Sequence, residues 1–90
     1  MENKLKLEIV TPYGAVINED VDEITASGSE GEFGVLPGHV PFVTPLKVGM
    51  LIYKKNNQVN YVFVNSGYTE VGPDKVVVLA DSAERAEDID

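Results

Sequence analysis

Gly28-Ser29-Glu30-Gly31-Glu32-Phe33-Gly34-Val35-Leu36-Pro37-Gly38-His39-Val40-Pro41-Phe42-Val43-Thr44-Pro45-Leu46-Lys47-Val48-Gly49 is the stretch whose reading decides the fold. From Thr25 to Gly49 the chain places five glycines, three prolines and its only histidine. Glycine admits positive φ and proline locks φ near about −65°, so the segment turns sharply several times. Between the turns stand Phe33, Val35, Leu36, Val40, Phe42, Val43 and Leu46. A disordered linker can share the Gly and Pro but lacks such interleaved apolar residues. The segment reads as ordered, corner-rich β structure.

Working outward, the hydrophobic period is two almost everywhere. Leu5, Leu7 and Ile9 alternate with Lys4, Lys6, Glu8 and Val10, the pattern of a half-buried strand. Thr11-Pro12-Tyr13-Gly14 turns the chain into the short apolar piece Ala15-Val16-Ile17, and Val21 to Ala26 reads as another strand. Val48–Lys55 and Gln58–Asn65 flank Asn56-Asn57, and Asn tolerates positive φ, so a tight hairpin is expected there. Tyr68–Val71 and Lys75–Ala80 flank Gly72-Pro73-Asp74, a second hairpin signal. About nine or ten short strands, with turns roughly every eight to twelve residues, predict an all-β domain: an antiparallel β-sandwich or flattened barrel. Val76-Val77-Val78-Leu79 is apolar on both faces of its strand, which points to cover on both sides and hence to an interface. Only the tail changes character. Asp81-Ser82-Ala83-Glu84-Arg85-Ala86-Glu87-Asp88 carries an N-cap acid and early negative charge, which predict a helix start. Residues 1–82 are therefore expected to form the sandwich and residues 83–90 the start of a truncated helical region.

Ninety residues make one small domain with a modest core. There is no cysteine, which removes disulfides and thiolate metal sites and fits a reducing compartment. No apolar run exceeds the five residues of Val76–Ala80, far short of the roughly 20 that span a bilayer, so no direct membrane insertion is expected. The N-terminus lacks the pattern of a signal peptide. Fifteen acids against seven bases give a net charge of −8, a field that repels nucleic acid and anionic lipid and suits a basic protein partner.

Motifs for chemistry are weak. Gly28, Gly31 and Gly34 recur at a spacing that matches neither the dinucleotide fingerprint nor the P-loop, and Glu30 and Glu32 would repel phosphate. Asp20, Asp22, Glu23, Glu30 and Glu32 do not form a calcium loop and read as a solvated strand face. His39 is the sole general-base candidate, and Ser66 lacks the context of an activated nucleophile, so His39 reads as a structural or interface residue. The residues assign no catalytic group, metal site or cofactor.

The run Gly28 to Pro41 resembles the signature of the epsilon subunit of F-type ATP synthases. Leu46-Lys47-Val48-Gly49-Met50, Ser66-Gly67-Tyr68-Thr69-Glu70-Val71 and Val78-Leu79-Ala80-Asp81-Ser82-Ala83-Glu84-Arg85 agree with that family in order and spacing. The resemblance implies a β-sandwich of two roughly five-stranded sheets. It implies a non-catalytic rotor component of the central stalk, linking the gamma subunit to the membrane c ring in proton-driven ATP synthesis. It also implies a peripheral position at the cytoplasmic face of the bacterial inner membrane. Glu30, Gly31, Glu32 and His39 match positions facing the polar loops of the c ring, which commonly carry Arg. Thr11, Val40, Phe42 and Thr44 match positions near gamma. Family members continue into a C-terminal helical hairpin, whereas this chain stops at Ile89-Asp90; either it is truncated there or the hairpin is absent by nature, the helix start at Asp81 favouring truncation, and the resemblance assigns this chain neither inhibition nor ATP sensing. Two other classes compete. A free-standing sandwich that binds a ligand or carbohydrate would need an aromatic platform from Tyr13, Tyr53, Tyr61 and Tyr68, which are scattered in sequence. A small metal-assisted hydrolase is disfavoured by one His and no Cys.

Overall fold

The computed structural model describes residues 4–28, 31–36, 38, 41–46 and 49–86. Eight strands follow one another: β1 (Leu5–Thr11), β2 (Gly14–Val21), β3 (Glu23–Gly28), β4 (Gly31–Val35), β5 (Phe42–Leu46), β6 (Gly49–Lys55), β7 (Gln58–Val71) and β8 (Lys75–Arg85). Among the described residues there is no α-helix. The all-β expectation holds, with fewer and longer strands than the turn signals suggested. Hydrogen bonding links all eight in the order β2-β1-β8-β7-β5-β3-β4, with β6 paired to both β3 and β7.

Local chemistry explains the turns. Asn56 and Asn57 sit at φ 51° and 67°, and Lys55 pairs with Gln58, the two-residue hairpin expected of Asn-Asn. At the β1–β2 turn Gly14 takes φ 121°, while Thr11 Oγ1 accepts from Tyr13 N at 3.1 Å and donates to Gly14 O at 3.2 Å. The strands pair antiparallel with one exception. Lys6–Val10 of β1 run parallel to Lys75–Leu79 of β8, a pairing distant in sequence that strand periodicity does not reveal.

Among the described residues the core takes one side of six strands: Leu5, Leu7 and Ile9 from β1, Ile17 and Val21 from β2, Ile24 and Ala26 from β3, Leu51 and Tyr53 from β6. Val62, Val64 and Val71 join from β7, and Val76, Val78 and Ala80 from β8. Each fully buried Val, Leu or Ile contributes roughly 1.5–3 kcal/mol, so this inner face supplies most of the driving force.

The long strands β7 and β8 crease together. In β7 the buried positions are 62 and 64, then 69 and 71; in β8 they are 76, 78 and 80, with the half-buried positions 83 and 85 beyond. Both strands switch parity at the same place, between Asn65↔Ser82 and Gly67↔Ala80, without loss of register. There Ser66 Oγ donates to Asp81 Oδ2 at 3.3 Å. On one side of the crease β7 pairs with β6, on the other with β5. A strand pair that bends this way carries its inner face around a corner, and the sheet folds over its own core.

The crease also corrects the tail. Where Asp81 was expected to start a helix, β8 continues as strand through Arg85, pairing Ala83 with Val64 and Arg85 with Val62. The edge of β7 from Val62 to Asn65 needs backbone partners, and residues 82–85 of β8 supply them. Residues 87–90 lie outside the described residues.

Candidate functional site

The alternation that buries one side of each strand exposes the other, and the exposed side carries apolar residues in two places. The first lies beyond the crease. Pro45 of β5 pairs with Tyr68 of β7, Tyr68 with Leu79 of β8, Leu79 with Val10 of β1 and Val10 with Ala15 of β2. These residues form one cross-strand row over five strands. Tyr68 is 60% exposed, Leu79 54% and the neighbouring Val43 64%. The next row is mixed: Val43, Glu70, Val77, Glu8 and Asn18. Apolar side chains gathered in a continuous band, rimmed by acids, mark an interaction surface more than scattered ones do.

The second place lies on the other side of the crease. Met50 pairs with Phe63, Ile52 with Tyr61, and Phe63 with Glu84. Gly49, Met50, Phe63, Val64, Asn65, Ser82, Ala83 and Glu84 line an open groove of about 690 Å³ there. Its floor is the β7–β8 ladder, and its character is apolar with one carboxylate at the rim.

Charge pairs brace the framework between these faces. Glu19 accepts from Lys55 Nζ at 2.9 Å, Arg85 Nη2 at 3.1 Å and Tyr53 Oη at 3.2 Å. The Lys55 hydrogen bond, against the opposing pull of burial, holds the Glu19 carboxyl below its ordinary range. Asp22 accepts from Lys4 Nζ at 2.6 Å and from the Asn56 backbone N–H at 3.0 Å, and the Lys4 bond first, then Asn56, lowers its pKa. Among the described residues no group of three or more His, Cys, Asp or Glu is placed to hold a metal ion. No helix among them is long and apolar enough to cross a membrane.

The residues expected from sequence land as follows. Glu30, His39 and Val40 lie outside the described residues, and Gly31 and Glu32 are backbone positions of β4. Phe42 and Thr44 occupy the half-buried side of β5, Phe42 packed against the core. Thr11 is nearly buried and occupied in its own turn. The exposed side of β5 belongs instead to Val43 and Pro45, which the sequence reading passed over. Their signal was present in part: Val76–Leu79 is apolar on both faces, and it is Leu79 that stands out of the core. The tyrosines do not converge, since Tyr13 is at a turn, Tyr53 is buried, and Tyr61 and Tyr68 lie on different sides of the crease.

Among the described residues the chain is an all-β domain with apolar side chains on its exposed strand positions. Residues 4–86 match the family described as ATP synthase, Delta/Epsilon chain, beta-sandwich domain, and the chain belongs to that family. It is 61% identical over 90 residues to a protein of Thermodesulfovibrio yellowstonii named ATP synthase epsilon chain, covering all of this chain and 64% of that one. A Geotalea daltonii protein of the same name is 58% identical over 90 residues, with 65% of its length covered. The chain thus spans just under two thirds of these relatives. Among solved structures, a chain of the Euglena gracilis mitochondrial ATP synthase (OSCP/F1/c-ring, rotational state 1) superposes with TM-score 0.90 at 26% identity, over 100% of this chain and 58% of that one. A chain of the Tetrahymena thermophila mitochondrial ATP synthase central stalk and c-ring superposes with TM-score 0.70 at 20% identity, over 91% of this chain and 68% of that one, a likeness of fold.

Proposed function

We propose that this chain is the sandwich domain of an epsilon subunit in the rotor of an F-type ATP synthase, coupling the gamma subunit to the c ring without itself catalysing a reaction. The observation that carries the reading is the five-strand apolar row Pro45–Tyr68–Leu79–Val10–Ala15, on a domain of the delta/epsilon family. A rotor joint needs a stiff surface, because a contact that must first be ordered loses affinity to that ordering. Strand pairing on both sides of Tyr68 and Leu79 supplies the stiffness. Gamma docks on the outer face that exposes Val43, Tyr68 and Leu79, and the resemblance adds Thr11, Val40, Phe42 and Thr44 to the gamma contact. The β3–β4 segment with Glu30, Gly31 and Glu32, together with His39, meets the c-ring loops, whose basic residues complement carboxylates. The strands fold as two facing sheets, and the subunit is peripheral at the cytoplasmic face of a bacterial inner membrane.

Calorimetric titration of the chain with purified gamma subunit tests this. One-to-one binding at about micromolar affinity or tighter is expected, and Leu79→Asp should weaken it about tenfold or more while leaving the circular dichroism of the domain unchanged. A folded chain that does not bind gamma, or a Leu79→Asp variant that binds as well as the parent, would count against the reading.

A further inference from the structure

Beside the core, the inner-facing positions of three strands include polar residues. On β2 the inner side runs Ile17, Glu19, Val21; on β6 it runs Leu51, Tyr53, Lys55; on β8 it ends Ala83, Arg85. Glu19 stands where they meet. One carboxylate oxygen accepts from Lys55 Nζ at 2.9 Å; the other accepts from Arg85 Nη2 at 3.1 Å and Tyr53 Oη at 3.2 Å. The Glu19 side chain is only 23% exposed, so these charge-assisted bonds work in a poorly solvated site.

Among the described residues β2 has backbone pairing with β1 alone, and it does not share a ladder with β6 or β8. Here β2 meets β8 through side chains, and it meets β6 through side chains beside one backbone bond, from Asp22 N just past β2 to Lys54 O at 2.7 Å. Arg85 is also the last residue of β8, held in the ladder by its rung to Val62. We infer that Glu19 is a clasp that pins the end of β8 to β2 and β6. Of the side-chain types gathered here, only a carboxyl ordinarily ionises in the acid range. Within the cluster Glu19 is therefore the group whose state changes on acidification. The neighbouring pairs Lys4–Asp22 and Lys54–Glu23 lie beside it at the β2–β3 and β6–β7 corners. A carboxyl held below its ordinary value lends stability that is fully present above about pH 4.3 and is lost as pH falls through the lowered value.

Amide hydrogen exchange on this chain tests the clasp, with protection corrected for the intrinsic pH dependence of exchange. Glu19→Gln at about pH 7 should lower protection of amides 83–85 and 18–21 about tenfold, leaving the central rungs of Leu7 and Val78 unchanged. Lowering the pH of the parent through the lowered Glu19 range should produce the same local loss at amides 83–85, and Glu19→Gln should lack that step there. Parent-like protection at 83–85 in Glu19→Gln, or an acid step that persists in it, overturns the inference. Should Glu19→Gln fail to fold, Lys55→Met, which leaves Arg85 and Tyr53 in place, should give a smaller loss at the same amides. Unchanged protection there overturns the inference equally.

Discussion

Gly67→Ala is the substitution that the crease forbids. A Cβ at Gly67 would lie 1.9 Å from the Leu79 carbonyl oxygen and 2.8 Å from both Ala80 Cα and the Leu79 carbonyl carbon. All three are backbone atoms of the paired strand, so no change of rotamer relieves the overlap. The strands would have to separate, disturbing the Gly67↔Ala80 and Tyr68↔Leu79 rungs where both strands turn the corner. Overpacking costs about 1–3 kcal/mol and each lost ladder bond about 0.5–1.5 kcal/mol, so a loss of about 3–5 kcal/mol is expected. Against a typical total of about 5–15 kcal/mol, that is a large share. At about 4–8 °C per kcal/mol for a domain this size, Tm should fall by roughly 12–40 °C. Thermal unfolding followed by circular dichroism reads this directly. Gly14→Ala is the control: φ is 121° there but nothing lies within 4 Å of an added Cβ, so only backbone strain of about 1–2 kcal/mol is expected. A Gly67→Ala chain melting within about 3 °C of the parent, or no lower than Gly14→Ala, refutes the steric reasoning.

Two further substitutions probe the core and the hairpin. Thr69 is 1% exposed and its Oγ1 has no hydrogen-bond partner among the described residues, so Thr69→Val should stabilise the domain by about 1 kcal/mol in urea unfolding; a loss of that size would mean the hydroxyl is satisfied. Asn57 holds φ 67°, so Asn57→Ala should cost about 1 kcal/mol and Asn57→Gly should not, and equal urea midpoints for the two would remove the left-handed turn as the cause.

Much of this architecture was legible because strand periodicity is local. Leu5, Leu7 and Ile9 announce their buried face by alternation alone, and Asn56-Asn57 announces its turn because few other residues accept positive φ. The tail was misread for an equally local reason. Asp81 and Glu84 look like helix-start residues, but the backbone of Val62–Asn65 supplies β8 with a ladder that no local rule anticipates. The interaction surface was half legible. An apolar run such as Val76–Leu79 shows that both faces matter, yet only pairing decides which residue faces out and what stands beside it.

The sequence by itself determined the strand class, the tight turn at Asn56-Asn57 and the side that β1 buries, since each depends on residues a few positions apart. The tertiary structure alone decided that β1 lies parallel to β8, that β7 and β8 crease together at Gly67, and that Pro45, Tyr68, Leu79, Val10 and Ala15 share one row. It also brought Glu19 to Lys55 and Arg85 across long sequence separations. The physical reason is that burial pattern is written into each strand, whereas register and neighbour choice come from satisfying every strand's backbone edge around one shared core.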